Sequence, residues 1–186
     1  MESFSFIREY IRKPRTVGAI LPSSTRLANK MVQDVNFKDA RCIVEYGPGT
    51  GVFTDKLLEN RNKNTKVILI EYNEDFCNLL RSKYGNEEKL FIINDSAENI
   101  EKYLKMYDVQ EVDYIISGLP FASLPKETSI NILNTTRHIL NHNGSFITFQ
   151  YTLFKKKFIG SFFHDIKVKR VIKNIPPAYV FSCSNK

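Results

Sequence analysis

Short apolar runs alternate with helical patterns along most of the chain, and this alternation constrains the fold more than any other feature. The runs are CIVEY (42–46), KVILIE (66–71), KLFIIN (89–94), VDYIIS (112–117) and SFITFQYT (145–152). Continuous Ile, Val, Leu and Phe runs separated by helices are typical of parallel strands whose two faces are covered by crossover helices. The sequence therefore predicts a doubly wound α/β fold.

The last two strand-like runs, KVKRVIK (167–173) and AYVFSCS (178–184), depart from this alternation. Only NIPP separates them, which is too short for a crossover helix, so we predict an antiparallel hairpin. Five parallel strands followed by such a pair resemble the class I methyltransferases, whose Rossmann-like seven-stranded sheet has an antiparallel seventh strand between the fifth and the sixth.

Length and composition predict one domain. The 186 residues suffice for one buried core and are too few for two ordinary domains. We assign residues 1–34 to a helical lid or membrane-contact segment and residues 40–186 to the Rossmann-like core. No apolar run reaches the roughly 20 residues of a membrane span, and the N terminus lacks the apolar stretch of a secretory signal. Three cysteines without a C-x-x-C spacing favour neither a disulfide framework nor a zinc site, so we expect a cytoplasmic protein.

The net charge of +7 is concentrated at the two ends of the chain. Residues 1–30 carry +4 and residues 150–186 carry +7, whereas residues 31–149 carry −4. If the ends meet in the fold, this distribution favours an anionic partner, either nucleic acid or an anionic membrane surface. The alternative is a set of solvated lysines without a partner.

A glycine-rich segment, EYGPGTG, follows the first apolar run directly. Its spacing is E-x-G-x-G-x-G, whereas dinucleotide sites prefer G-x-G-x-x-G and P-loops require G-x-x-x-x-G-K-[ST]. Glu45 ahead of the glycines would repel a diphosphate but attract a cationic aminoacyl or sulfonium group, and Pro48 removes one N–H from any anion-binding loop. The segment therefore favours a cationic ligand at the strand ends.

Two further acidic residues end the next two strands. Glu71 can accept hydrogen bonds from both hydroxyls of a ribose, and Asp95 can accept from an adenine amino group, with Ala97 behind the ring. The whole set resembles the S-adenosylmethionine site of class I methyltransferases, although each feature alone could be an ordinary strand-end turn or helix cap. The predicted cofactor-binding residues are Ser23, Ser24, Glu45, Tyr46, Gly47, Gly49, Gly51, Glu71, Tyr72, Asp95, Ser96 and Ala97.

The segment SGLPFASLP (117–125) follows the fourth run and is the expected catalytic loop, with Gly118, Leu119, Pro120 and Phe121 as its central residues. Methylases of base amino groups place Asn or Asp at its polar position and an aromatic ring that stacks on the base. Gly118 has no side chain that could accept a hydrogen bond, while Phe121 could still stack. We interpret the glycine as room for a flexible amine head group.

Three motifs together, RTVGAILPSSTRLANKMV (15–32), EYGPGTGVFT and SGLPFASLP, resemble the bacterial phospholipid N-methyltransferases, which are related to the rRNA adenine dimethylases. The resemblance implies methylation of the phosphatidylethanolamine head group at a membrane surface, with S-adenosylmethionine as the cofactor. One alternative is an rRNA adenine N6-methyltransferase. Another is a catalytically silent cofactor-binding protein that recognises lipid or RNA.

The N-terminal sequence predicts an amphipathic basic helix that lies in a bilayer interface. The alternative is a helix that packs against its own sheet or covers the cofactor site, and a helix that covers the site could also touch lipid. One half of its circumference carries Phe4, Phe6, Ile7, Tyr10 and Ile11, and the other carries Ser5, Arg8, Glu9, Arg12 and Lys13.

An ethanolamine nitrogen must lose a proton before it attacks, and Tyr10 and Tyr151 are the candidate acceptors.

Lysines and phenylalanines interleave in FKKKF (154–158), which could bind lipid or RNA or form an ordinary helix with a buried aromatic face. His138 and His142 lie four apart on a predicted helix without a third ligand, so we predict no metal.

Overall fold

The computed structural model describes residues 25–172, 174 and 176–185. Its helices are α1 (Thr25–Val32), α2 (Val52–Asn60), α3 (Glu74–Tyr84), α4 (Ile100–Met106), α5 (Lys126–Ile139) and α6 (Lys156–Gly160), with a 3₁₀ helix at Ala97–Asn99. Its strands are β1 (Cys42–Tyr46), β2 (Lys66–Glu71), β3 (Leu90–Asn94), β4 (Val112–Ser117), β5 (Leu140–Gln150), β6 (Asp165–Val171) and β7 (Ala178–Ser184).

The seven strands form one sheet in the order β3-β2-β1-β4-β5-β7-β6. The first five are parallel, and β7 lies antiparallel between β5 and β6. The α/β fold with an antiparallel seventh strand is therefore confirmed. Because β1, β2 and β4 are all parallel, the residues that follow them meet at one edge of the sheet, which we call the carboxyl edge.

Helices cover both faces of the sheet, which explains the continuous apolar runs. All five residues of β1 are buried, and so are five of the six in β2. Side chains on one face pack with α1, α2 and α3, and those on the other face pack with α4, α5 and α6. The apolar residues of α1 occur at helical spacing (Leu27, Ala28, Met31 and Val32) and all are buried.

Strand β5 begins five residues earlier than predicted and contains an irregularity. Val112 pairs with Leu140, but Tyr114 pairs with Ser145, so four residues of β5 bulge out opposite Asp113. Asp113 stabilises this bulge because one carboxylate oxygen accepts from Asn141 Nδ2 at 2.5 Å, while the other accepts from the backbone N–H groups of residues 41 and 42.

The bulge corrects the expectation that two histidines share a helix. Helix α5 ends at Ile139, so His138 lies in its last turn while His142 lies in β5. Within the described ranges, no group of three or more His, Cys, Asp or Glu side chains could hold a metal ion.

The predicted N-terminal amphipathic helix, Tyr10, Ser23 and Ser24 lie outside the described residues. The part of segment 1–34 that is described includes α1, whose apolar face belongs to the core. Among the described residues, no helix is long and apolar enough to cross a membrane.

Candidate active site

The glycine loop between β1 and α2 crosses the carboxyl edge of the sheet in a left-handed backbone conformation. Gly47, Gly49 and Gly51 have φ angles of 63°, 56° and 85°, a region that residues with a Cβ atom adopt only at a cost. A Cβ atom at Gly49 would meet no atom within 4 Å, so the loop faces open space there. The loop thus exposes backbone at the point where the sequence predicts a ligand.

Gly51 has a structural reason to be glycine. A Cβ atom there would lie 2.5 Å from the Tyr84 hydroxyl, whose single proton is shared between the Gly51 carbonyl oxygen at 2.9 Å and Asp55 Oδ1 at 2.7 Å. The hydroxyl therefore joins α3 to the start of α2. This contact supports the shape of the loop without touching a ligand.

Glu71 is almost fully buried beside this loop, with 5% of its surface exposed. Its Oε2 atom accepts from the backbone N–H of Gly49 at 3.0 Å, and its Oε1 atom accepts from that of Asn73 at 2.9 Å. Burial raises the pKa of Glu71, and both hydrogen bonds oppose that increase. A carboxylate has about four acceptor positions, so Glu71 can hold the loop and still accept from a ribose.

Glu45 is fully buried at the end of β1. Its Oε2 atom accepts from Thr54 Oγ1 at 2.7 Å, while its Oε1 atom has no hydrogen-bond partner among the described residues. Burial raises the pKa of Glu45 to about 8; the Thr54 hydrogen bond opposes this increase, and Glu71 adds to it. A cation that reached this carboxylate would satisfy the unpartnered oxygen and favour the ionised form.

Asp95 follows β3 in a network of donors. Its Oδ1 atom accepts from the backbone N–H of Ser96 at 2.7 Å and from Asn99 Nδ2 at 2.9 Å, and its Oδ2 atom accepts from the Tyr103 hydroxyl at 2.7 Å. Burial opposes ionisation, but these hydrogen bonds outweigh it and lower the pKa of Asp95. The hydrogen bond to Asp95 raises the pKa of Tyr103 to about 12. Asp95 is therefore a fixed carboxylate with about one free acceptor position.

A polar cavity of about 610 Å³ lies between the β3 end and α5. The predicted residues Tyr72, Asp95 and Ser96 line it, which brings three of the expected cofactor residues together. Ala97, predicted to back an adenine ring, is 8% exposed and belongs to the core instead. The remaining lining residues were missed from the sequence: Glu98, Asn99, Asn131, Asn134 and Thr135.

Tyr46 cannot contribute its side chain to the site. Its ring is fully buried on the α5 face of the sheet, where its hydroxyl accepts from Thr136 Oγ1 at 3.3 Å. Its carbonyl oxygen instead accepts from the backbone N–H of Gly118 at 2.8 Å. The prediction that the Tyr46 side chain binds the cofactor is therefore wrong, and only backbone atoms of Tyr46 lie where they could contact it.

The loop after β4 packs directly on the glycine loop. A Cβ atom at Gly118 would lie 2.6 Å from the Gly47 carbonyl oxygen, and one at Gly47 would lie 2.9 Å from Leu119 Cδ2. Ser117 is fully buried, and its Oγ atom accepts from the backbone N–H of Leu119 at 3.2 Å. Gly118 is therefore required by the close approach of two backbones, which corrects the interpretation that its missing side chain leaves room for a head group.

The prediction that Phe121 could stack on a base is wrong. The ring is fully buried and packs edge to face on Phe146, with 6.0 Å between the ring centroids. The turn that carries it inward is closed by the N–H groups of Ser123 and Leu124, which both donate to the Pro120 carbonyl oxygen. A ring in this position presents no face on which a base could stack.

The proton acceptor proposed at Tyr151 gains no support. Its ring is partly buried and packs in an edge-to-face pair with Phe149, with 5.5 Å between the ring centroids. Burial raises the pKa of Tyr151, so the neutral phenol predominates and the phenolate needed for a base is disfavoured.

The sheet order, the glycine loop and the carboxylates at the ends of the first three strands define a class I methyltransferase that uses S-adenosylmethionine. The donor set fits this cofactor chemically, because three carboxylates can accept hydrogen bonds from its ammonium group, its ribose hydroxyls and its adenine amino group. Glu45 would hold the ammonium group, Glu71 the ribose and Asp95 the adenine. The cofactor supplies an electrophilic methyl group, and the chain's part is to bind it and to hold an acceptor in line with it.

Comparison with known proteins identifies the family. The sequence profile of the ribosomal RNA adenine dimethylase family matches residues 20–172, so the chain belongs to this family. The ornithine lipid N-methyltransferase of Singulisphaera acidiphila is 26% identical over 182 residues, which span 97% of this chain and 94% of that protein. The ribosomal RNA small subunit methyltransferase A of Thermotoga neapolitana is 29% identical over 126 residues, which span 66% of this chain and 44% of that protein.

Solved structures support the same fold. A precorrin-6y C5,15-methyltransferase from Geobacter metallireducens superposes with a TM-score of 0.71, over 90% of this chain and 92% of that one, at 12% identity. Fold and family together make this chain an S-adenosylmethionine-dependent methyltransferase.

Proposed function

We propose that the chain methylates the amino group of a lipid head group at an anionic membrane surface, with phosphatidylethanolamine as the first substrate to test. The observation that carries this proposal is the loop after β4. Gly118 has no side chain, Ser117 is buried and already hydrogen-bonded, and Phe121 lies in the core. The loop therefore offers a base neither a side-chain acceptor nor a stacking ring, which are the two features that a base methylase uses.

The extent of similarity adds support. The ornithine lipid N-methyltransferase matches this chain nearly end to end, whereas the match with the ribosomal RNA methyltransferase covers less than half of that protein. An ornithine lipid and phosphatidylethanolamine both present a primary amine on a lipid, so an aminolipid is the shared substrate class.

The second candidate is adenine N6 methylation of rRNA. It is favoured by the family to which the chain belongs and by the similarity to ribosomal RNA small subunit methyltransferase A. On this alternative, backbone carbonyls of the 118–121 loop alone would have to orient the adenine amino group.

The test is transfer of a labelled methyl group from S-adenosylmethionine to three acceptors in parallel. These are vesicles of phosphatidylglycerol with phosphatidylethanolamine, the same vesicles with an ornithine lipid, and unmethylated rRNA. Transfer to either lipid supports the proposal. Transfer to RNA alone would refute it, and measurable cofactor binding without transfer to any acceptor would identify a catalytically silent protein.

The variant Glu71→Gln is the control for dependence on the site. It retains the shape of the side chain but removes the charge beside the glycine loop, so lipid methylation should fall with cofactor affinity. Undiminished methylation in a variant whose cofactor affinity has fallen would point to a contaminating enzyme.

A further inference from the structure

Three large apolar side chains are exposed on segments that follow β5 and β6. Leu153 is 47% exposed, Phe154 is 85% exposed and Ile172 is 68% exposed. We call these three residues the apolar rim. Single exposed apolar residues are ordinary on protein surfaces, so their significance depends on whether they share one location.

Strand register places the apolar rim at one edge of the sheet. Gln150 of β5 and Arg170 of β6 both pair with Tyr179 of β7, so the two strands end in the same row. Adjacent strands lie about 4.8 Å apart, which puts the ends of β5 and β6 about 10 Å from each other. Leu153 and Phe154 follow one end, and Ile172 follows the other.

This edge is the carboxyl edge that also carries the candidate active site. Strand β5 is parallel to β4, and β4 is parallel to β1, with Ser117 opposite Thr148. The loop after β4 and the segment after β5 therefore project from the sheet in the same direction. A surface that binds through the apolar rim would lie beside the site and not on the opposite side of the molecule.

Lysines accompany the apolar rim. Lys155, Lys156 and Lys157 follow Phe154 directly, and the last two are exposed. Across the described ranges, none of the three has an acidic partner within 4.0 Å, whereas Lys169 on β6 is paired with Asp34. Their charge is therefore available for an anionic partner.

The remaining aromatic residues of this segment are not available. Phe163 is 6% exposed in the core, and Phe158 and Phe162 pack against the core and edge to face on each other at 5.4 Å. Contact with a partner would thus be shallow, limited to the apolar rim and the lysines.

We propose that the apolar rim and Lys155–Lys157 form the surface that docks this enzyme on an anionic lipid bilayer. Two of the three rim residues are aliphatic, and an aliphatic side chain has no π face for a nucleotide base, whereas any apolar side chain can enter the acyl boundary of a bilayer. Lysines beside an inserted apolar side chain bind anionic head groups. The choice of a bilayer as partner rests on the proposed lipid N-methyltransferase function.

The experiment is vesicle flotation of the full chain, with vesicles of phosphatidylcholine alone or with phosphatidylglycerol, and without cofactor. Phe154→Ser should weaken binding to the anionic vesicles about tenfold. The triple variant K155Q/K156Q/K157Q should weaken it by about fivefold per lysine, on the order of 100-fold in all. The lysine contribution should also decrease as salt concentration rises.

Matched controls lie at the opposite edge of the sheet. Met106 is 63% exposed at the end of α4, and Lys38, Lys63 and Lys105 are exposed near the starts of β1, β2 and β4. Met106→Ser and the triple variant K38Q/K63Q/K105Q should therefore leave vesicle binding unchanged. Urea unfolding and cofactor affinity, measured for every variant, verify that each protein is folded.

The outcomes separate this inference from the proposed function. Vesicle binding that is unchanged in both docking variants, or reduced equally in the control variants, would overturn the docking surface. Reduced affinity for rRNA with unchanged vesicle binding would assign the same lysines to RNA and also overturn it. The proposed function is assessed independently by methyl transfer to phosphatidylethanolamine or an ornithine lipid in anionic vesicles. A wild-type chain that floats with these vesicles but transfers no methyl group to either lipid fails as a lipid methyltransferase, while the docking surface stands.

Discussion

A carboxyl group buried without a cation should make the stability of the cofactor-free enzyme depend on pH. Glu45 is fully buried, one of its oxygens accepts only from Thr54, and the other has no partner within the described part of the chain. Glu45→Gln retains an amide oxygen that can accept from Thr54 but cannot ionise. The variant therefore isolates the effect of ionisation at this position.

The magnitude follows from the pKa of Glu45, which burial raises from 4.5 to about 8. Between these values the folded state binds more protons than the unfolded state, so the free energy of unfolding decreases as pH rises through this range. Each pH unit corresponds to about 1.4 kcal/mol, which gives a total of roughly 3–5 kcal/mol by pH 9. The stabilising effect of the neutral carboxyl is complete below about pH 4.5 and is lost above about pH 8.

The assay is urea unfolding of the cofactor-free protein at several values from pH 6 to pH 9. The wild type should lose stability across this range, while Glu45→Gln should lose far less and become the more stable protein at pH 9. Glu111→Gln, at an exposed carboxylate, is the matched control and should follow the wild type. Parallel pH curves for wild type and Glu45→Gln would refute the reasoning, because they would mean that Glu45 ionises alike in the folded and unfolded states.

Cofactor binding should instead favour the ionised form of Glu45. The ammonium group of S-adenosylmethionine would stabilise ionised Glu45, so affinity for the cofactor should increase as pH rises toward 8 in the wild type. Glu45→Gln should bind more weakly and without this pH dependence. Calorimetric titration at pH 6 and pH 8 measures both effects, and an unchanged affinity in the variant would exclude contact between Glu45 and the cofactor.

Three further predictions concern single residues around the site. Gly118→Ala would place a methyl group 2.6 Å from the Gly47 carbonyl oxygen, so it should lower the free energy of unfolding by about 1–3 kcal/mol; an unchanged urea midpoint would contradict the close approach. Tyr103→Phe removes the hydroxyl that donates to Asp95 at 2.7 Å, and calorimetry should show cofactor affinity reduced about threefold to tenfold. Glu71→Gln should reduce cofactor affinity at least about tenfold, because a charged acceptor is lost, and an affinity equal to that of the wild type would remove Glu71 from the site.

The fold was predictable because its main determinants are local. Strands β1, β2 and β4 were located to the residue because each is a short, mostly apolar run whose residues are largely buried. The β6–β7 hairpin followed from a connection too short for a crossover helix. The start of β5 was not predictable, because it depends on the long-range contacts of Asp113 with Arg41, Cys42 and Asn141.

The site was predictable only where it depends on backbone and strand ends. The location of Glu71 and Asp95 at the carboxyl edge was predictable because acidic residues at the ends of parallel strands necessarily share an edge. No such rule predicts the direction of a side chain in a loop. Phe121 points into the core, and the nearby Gly47 carbonyl oxygen leaves no space for a side chain at position 118. Tyr103 was missed although it lies eight residues after Asp95, because its relation to Asp95 appears only once the 3₁₀ helix and α4 are placed.

The corrected loop changes how specificity can arise in this chain. A base methylase positions its acceptor with side chains of the loop after β4, and here Gly118 and Phe121 provide no such contact. A flexible amine still has to be held in line with the methyl group, since positioning accounts for much of the rate of such a transfer. Under the proposed function, the docking surface and not the loop positions the amine. A bilayer bound by Phe154 and its neighbouring lysines keeps the lipid head groups level with the carboxyl edge of the sheet. Substrate choice would then depend on which amines a bilayer presents at that height, and less on side chains that recognise the amine itself.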